Sequence, residues 1–364
     1  MKDVNKLYNK ALAGEFLSVR EGKELYTRTP SSQLFYLADQ IRFKKNPLRR
    51  VSWQIDLNVN YTNVCISGCL FCNFHCRPSQ RQSAYTLTKE QLQEKINLVR
   101  EAGGDQLLLQ GGLHPNYDIE FYENMLRTIR EISPGIKLNA LGPPEIAHIS
   151  RISGITMTET IKRLIDAGLD SLPGAGAEIL SDRVRKIISP SKPDAHSWEK
   201  VMREAHKLGI GTTSTMVYGH LETLEERLDH LVLLRSIQAD KPAEAPGFRA
   251  FIGWPMQLKK TRLLEKYPLS PPSMLENLKM VAISRIMLIN VPHIQVSWLT
   301  IGPRTAQLAL HCGADDMGSV MIEENVVSSA GSHFRMVPDE MERCIREAGF
   351  DPWQRNQDYT PVLK

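Results

Sequence analysis

Little in this chain runs to an extreme, and each shortage narrows what it can be. Cysteine is scarce, six in 364 residues, too few for a disulfide framework and in keeping with a reducing compartment. No charge-free apolar run approaches the roughly 20 residues of a membrane-spanning helix. The opening Met1-Lys-Asp-Val-Asn-Lys-Leu-Tyr8 is too polar for a signal peptide, so a cytoplasmic location is expected. A net charge of +4 is small for this length and makes no case for nucleic acid. Internal repeats and low-complexity segments are absent. What is left is a mixed-charge chain, 42% hydrophobic, able to bury one large core or two or three smaller ones. A barrel of about 250 residues fits such a chain as a single domain.

The scarce cysteines are not scattered. Cys65, Cys69 and Cys72 fall within eight positions, at spacings of three and two intervening residues, directly after a β-rich run. That spacing suits three thiolates on three irons of one 4Fe-4S cluster, leaving one iron without a protein ligand. An open iron can chelate a small molecule, so the pattern suggests catalysis more than electron storage. Cys76 lies close enough to keep a structural zinc site or a closed cluster as alternatives. Against zinc, only Cys69 and Cys72 have knuckle spacing. Against a ferredoxin-type loop, Cys69-x2-Cys72-x3-Cys76-Arg77-Pro78 lacks a further Cys-x2 step and its proline sits one place late. Cys76, Cys312 and Cys344 are read as ordinary thiols.

Residues 1–50 read as two or three helices forming an N-terminal extension, with Ser31-Ser32 placed to cap an amphipathic run. The basic run Arg42-Phe-Lys44-Lys45-Asn-Pro-Leu-Arg49-Arg50 is read as a solvated face, since it precedes the first strand and so lies at the far end of a barrel from the cysteines. Strand-like segments then alternate with helical ones. The strands are expected at 51–60, 106–110, 136–141, 168–172, 211–218, 248–254, 294–300 and 314–318. Eight such units predict an α/β fold, a complete (β/α)8 TIM-type barrel over 51–350, followed by a tail at 351–364. In such barrels functional groups gather at the C-terminal ends of strands, where Cys65, Gly111, Gly112, Glu178, His220 and Glu222 all fall.

With Phe71 as its aromatic, the Cys-x3-Cys-x-aromatic-Cys stretch resembles the radical S-adenosylmethionine (radical SAM) superfamily. There the open iron holds the amino and carboxylate groups of SAM, and an electron from the cluster splits it to a 5'-deoxyadenosyl radical. The resemblance implies Cys65, Cys69 and Cys72 as cluster ligands and SAM as the second cofactor. Gly111-Gly112 resembles the superfamily's glycine motif, whose usual following acid is Leu113 here, so the backbone is the expected contact for the amino end of SAM. Val217-Tyr-Gly219-His220-Leu-Glu222 resembles the adenine-site motif, with Val217 packing, Gly219 permitting close approach and Glu222 in a supporting part. Glu178 is a candidate for the ribose hydroxyls; Arg185 and Lys192 are candidates for the SAM carboxylate, with exposed helix charge as the plainer reading of each. His114 and His220 are expected at the cavity mouth as substrate or proton-handling groups, with Glu178 and the Glu323-Glu324-Asn325 loop beside them.

Longer blocks narrow the resemblance: Gln110-Gly-Gly-Leu-His-Pro115, Pro143-Pro-Glu-Ile146, Ala167-Gly-Leu-Asp-Ser-Leu-Pro-Gly-Ala-Gly-Ala-Glu178, Gln295-Val-Ser-Trp298 and Met321-Ile-Glu-Glu-Asn-Val-Val327. They are similar to the menaquinone futalosine-pathway enzymes and the related deazaflavin synthase subunits. Ala175 interrupts a run that is usually all glycine, and Gly142 stands where serine is commoner. What this resemblance implies is cyclisation of dehypoxanthine futalosine, with radical addition to an enolpyruvyl benzoate as the runner-up. It also implies a low-potential electron donor such as flavodoxin or ferredoxin. A non-catalytic iron-sulfur carrier is the reading from another class. Trp254 and Trp298 are expected as aromatic walls or plain core.

Overall fold

The computed structural model describes residues 2–362 apart from Glu324. Ten strands form one parallel sheet: β1 (Arg50–Gln54), β2 (Asp56–Val59), β3 (Gln106–Leu109), β4 (Lys137–Ala140), β5 (Ser171–Leu172), β6 (Gly211–Tyr218), β7 (Phe248–Pro255), β8 (His293–Gln295), β9 (Asp316–Ser319) and β10 (Asp351–Gln354). Their order is β10-β1-β9-β8-β7-β6-β5-β4-β3-β2. Only Ile55 separates β1 from β2, yet β1 pairs with β9 and β10 whereas β2 pairs with β3.

Period two along the strands divides two environments. Leu57, Val59, Leu107, Leu109, Leu138 and Ala140 are fully buried in the apolar core. Their neighbours Asp56, Asn58, Gln106, Gln110 and Asn139 line a cavity of about 330 Å³. A one-residue slip of any of these strands would exchange the two sets, so the pattern pins the register.

Side-chain caps start many of the helices, as the capping box of Thr223 and Glu226 does for Leu224–Ala239. Three helices precede the sheet: Lys2–Leu12, Val19–Arg28 and Ser31–Lys45. The last begins from Pro30 without a side-chain cap, so the expected Ser31-Ser32 cap does not form. Arg42, in the basic run, is buried and bonded to Asp39.

Four other sequence expectations change. The first strand breaks at Ile55. The seventh stops at Gln295, and Trp298–Ile301 is helical instead of extended because Trp298 turns in to donate its indole N–H to the Ser319 carbonyl at 3.0 Å. Pro143–Ser153 is an added helix; Pro at its start costs no hydrogen bond, since the first N–H groups of a helix have no partner within it. The presumed tail contains β10, paired with β1. Beyond it Arg355 donates to Asp316 at 2.5 Å, and Gln357 reaches Ser171.

Candidate active site

The cysteine loop follows β2 and is held by backbone. Cys65 N–H donates to the Cys76 carbonyl at 2.9 Å, Cys76 N–H to Asn63 at 2.8 Å, and Leu70 N–H to Ile188 at 2.8 Å. Cys65 and Cys69 are buried and Cys72 is half-buried. The sulfur of Cys65 differs from that of Cys76 in what faces it. Leu113 N–H and Ser67 N–H point at Cys65 Sγ from 3.3 and 3.4 Å, a setting for a thiolate. Cys76 Sγ instead donates toward the Gln80 carbonyl at 3.1 Å, as a thiol does.

Among the described residues, no three His, Cys, Asp or Glu side chains gather closely enough to hold one metal ion. Three thiolates that each take a different iron of a cubane need no such convergence, so the N–H donors at Cys65 and the buried loop fit a cluster. Burial pushes the Cys69 thiol up to about 11, with Lys192 and Ser67 working against that rise. A cationic metal would supply what the apolar setting withholds from the thiolate.

Lys192 links this loop to the next strand end. Its ammonium lies 5.5 Å over the Phe71 ring and 2.6 Å from Glu178 Oε1. Burial works to lower it, but Cys69 and Glu178 outweigh burial and hold it above the usual range. Glu178 is buried, with φ at +40°, a left-handed conformation unusual for a side chain that bulky. Burial works to raise its carboxyl, but Lys192 and Arg185 hold it below the ordinary value. Its second oxygen has no hydrogen-bond partner and lies 3.6 Å from the Arg185 guanidinium.

Arg185 does not fit the part of carboxylate clamp. Its guanidinium donates to the carbonyls of Gly176, Ala177 and Pro193 at 2.6–3.1 Å and so is spent on the loop that carries Glu178. Nor do His114 and His220 line the cavity. His114 stacks on Tyr117 at 3.6 Å, and its Nδ1 accepts the Asn116 N–H. His220 is wholly enclosed between the Val217 carbonyl at 3.0 Å and Glu222 at 3.0 Å. Burial works to lower both rings, with the Glu222 carboxylate opposing it at His220.

The glycines are shaped by the chain's own packing. A Cβ on Gly111 would lie 2.4 Å from the Tyr61 ring, and one on Gly112 would lie 2.1 Å from the Val64 carbonyl. Gly219, at φ +86°, would meet Pro272 at 2.2 Å, and its N–H is taken by Glu222. Val217 and Phe71 line the cavity, as do Trp254 and Met321; Trp298 does not. Glu323 pairs with Lys95 at 2.6 Å and Asn325 reaches Asn60 at 3.3 Å, while Glu324 lies outside the described residues.

Sequence reading missed Glu145. Its carboxylate is fully buried where three strand ends meet, accepting the Tyr61 hydroxyl at 2.6 Å, Gly111 N–H at 3.0 Å and Gly142 N–H at 2.8 Å. Burial nonetheless pushes it up to about 7. Glu in the third helical position after Pro-Pro signals a local capping box, and nothing in the sequence signals Tyr61, 84 residues away.

Comparison with known proteins agrees with this geometry. Residues 59–234 match the model of the radical SAM superfamily and residues 245–363 that of the CofH/MqnC C-terminal region. A cyclic dehypoxanthine futalosine synthase of Streptomyces coelicolor is 40% identical over 99% of this chain and 89% of its own length. A 5-amino-6-(D-ribitylamino)uracil–L-tyrosine 4-hydroxyphenyl transferase of Methanosarcina acetivorans is 38% identical over 92% and 88%. Methylornithine synthase shares the fold, with a TM-score of 0.72 at 18% identity over 95% of this chain and 97% of that one. The chain belongs to the radical SAM superfamily of enzymes, whose cofactors are a 4Fe-4S cluster and SAM, and within it to the CofH/MqnC family.

Proposed function

We propose that the protein is the cyclase that converts dehypoxanthine futalosine to cyclic dehypoxanthine futalosine in menaquinone biosynthesis. The observation that carries this reading is the cavity beside the cysteine loop: amides and hydroxyls below, with Phe71, Trp254 and Met321 among its apolar residues. Such a chamber suits a substrate that is part polyol and part arene. Full-length likeness to the Streptomyces coelicolor synthase supports the same choice.

The conversion joins ribose C4' to the benzoate ring with loss of two hydrogens: one taken from C4' as a hydrogen atom by the deoxyadenosyl radical, and one leaving the ring as a proton, its electron going to the cluster, which SAM cleavage would have left oxidised. The cluster and SAM, held at Cys65, Cys69 and Cys72 and at Glu178 and Lys192, supply the hydrogen-abstracting chemistry. The chain's own task is positional: ribose and arene must lie in near-attack geometry, and water and stray hydrogen donors must be kept out. Asn58, Gln110 and Asn139 offer donors and acceptors to ribose hydroxyls, and Trp254 offers a flat wall to the ring. A reducing cytoplasm and a low-potential flavodoxin or ferredoxin suit the cluster.

This reading takes 51–350 as a closed eight-unit barrel with 1–50 and 351–364 as its extensions. In its favour, residues 50–59 form one run broken at Ile55, with β9 against its first half and β3 against its second. The archaeal relatives favour a second reading, 4-hydroxyphenyl transfer to 5-amino-6-(D-ribitylamino)uracil. The test is an anaerobic assay of reconstituted, reduced protein with SAM and either dehypoxanthine futalosine or the uracil and tyrosine, followed by mass spectrometry. A product two hydrogens lighter than dehypoxanthine futalosine, with 5'-deoxyadenosine, supports the cyclase. A hydroxyphenyl adduct would replace it with the transferase, and absence of 5'-deoxyadenosine would sink both.

A further inference from the structure

The two oxygens of Glu145 do different work. Oε2 accepts the N–H of Gly142, three residues back, and so closes the first turn of helix Pro143–Ser153. Oε1 reaches out of its own element, taking the Tyr61 hydroxyl from beyond β2 and the Gly111 N–H from beyond β3. A cap alone needs only the first of these contacts.

The second contact has consequences along the chain. Tyr61 lies flat against Gly111, so closely that no side chain fits between them. One residue on, Gly112 donates its N–H to the Thr62 carbonyl at 2.9 Å, and Leu113 donates to Cys65 Sγ. The N–H groups of both glycines are therefore consumed inside the protein. A trans peptide points its C=O opposite its N–H, so the Gly111 carbonyl is turned away from Thr62. Among the described residues neither the Gly111 nor the Gly112 carbonyl accepts a hydrogen bond. Two unpartnered acceptors next to Cys65 are what an ammonium group needs.

We propose that Glu145 is a positioning residue for the SAM pocket: through Oε1 it fixes Tyr61 and the Gly111-Gly112 backbone so that both glycine carbonyls present themselves to the ammonium of SAM. The inference rests on the radical SAM membership established above, not on the choice between cyclase and transferase. Tyr61 is the intermediate of the contact, and neither side chain touches the reacting atoms.

The experiment separates positioning from capping. Wild type, Tyr61→Phe and Glu145→Gln are reconstituted anaerobically, and iron content, thermal midpoint and the SAM dissociation constant by equilibrium dialysis are measured for each. Tyr61→Phe leaves the Gly142 cap intact; it should keep wild-type iron and weaken SAM about fivefold. Glu145→Gln, which sets an amide N–H against one of the native donors, should weaken SAM about tenfold or more. If both variants bind SAM within about twofold of wild type, whatever their thermal midpoints, Glu145 is a cap only and the proposal falls. Should Glu145→Gln fail to fold, Tyr61→Phe decides alone. Wild type that binds no SAM would overturn the superfamily chemistry itself, an outcome distinct from wild-type binding with unaltered variants.

Discussion

Buried charge occurs at both ends of this sheet, and the two ends treat it differently. At the N-terminal end, Arg355 from the segment after β10 meets Asp316 through two of its nitrogens, at 2.5 and 3.3 Å, and Ser52 adds a hydroxyl at 2.6 Å. Nearby, Arg285 meets Asp315 at 2.7 Å with both side chains enclosed. At the C-terminal mouth, Lys192 and Glu178 meet through one contact, and the other Glu178 oxygen has no hydrogen-bond partner, only Arg185 at 3.6 Å. A closed pair with its lone pairs filled holds the architecture together. The pair beside the cysteine loop leaves one buried acceptor oxygen unfilled, which is the feature the proposed SAM site would use.

The sharpest way to separate the two ends is to remove one of the three cysteines proposed to hold the cluster. Cys69→Ala should reconstitute with far less iron per chain and form no 5'-deoxyadenosine, while its circular dichroism stays close to wild type. Retention of full cluster iron in that variant, with Cys76 recruited, would contradict the three-ligand assignment.

Next in size is the closed pair. Arg355→Leu strands Asp316 without its cation and should cost about 3–5 kcal/mol in urea unfolding. Lys192→Met should cost less, about 1–3 kcal/mol, since Glu178 keeps Arg185 at 3.6 Å and the lysine side chain is 16% exposed. Its larger effect should appear in SAM binding. Equal unfolding costs with unchanged SAM affinity would erase the distinction between the ends.

pH should divide them as well. Glu145 rises from an ordinary 4.5 to about 7 on folding, so its contribution to stability is full below 4.5 and is lost as pH rises through about 7. Asp315 is held down to about 2 from 3.8; burial opposes this, but Arg285 and His293 prevail. Its contribution is present above 3.8 and is lost as pH falls through about 2. Glu145→Gln should flatten the upper part of the stability profile, and Asp315→Asn the acid limb. A profile of the Gln variant that still falls between pH 4.5 and 7 as steeply as wild type would assign that slope to another group.

How much of this was legible beforehand depends on the range of the interaction. Strand positions and the cysteine spacing are local patterns of period two or of fixed loop length, and they survive folding with small shifts. The fate of Glu145 is decided by Tyr61 and Gly111, 84 and 34 residues back, whereas Arg185 and the two histidines are fixed by which near neighbours, at most 9 residues away, their irregular loops fold onto. A guanidinium that ends among carbonyls reads in the sequence like one free to hold an anion. Likewise β10 was unreadable as a strand because its pairing partner β1 lies about 300 residues earlier.

The smallest effect should come from His114, and it bears most directly on whether strand-end histidines are chemistry or scaffold. The ring is stacked on Tyr117, which stacks in turn on Phe121 at 3.8 Å. Only one ring nitrogen has a bond, to Asn116 N–H at 3.2 Å, and the backbone carbonyl of His114 is held by His148 at 2.8 Å whatever the side chain. Phenylalanine keeps the stack and loses a single half-exposed hydrogen bond, worth about 1 kcal/mol at most. His114→Phe should therefore leave product formation per cluster within about threefold of wild type and the pH dependence of the rate unmoved. A loss of two orders of magnitude, or disappearance of a rate-limiting ionisation near neutral pH, would return the ring to the reaction as a proton carrier.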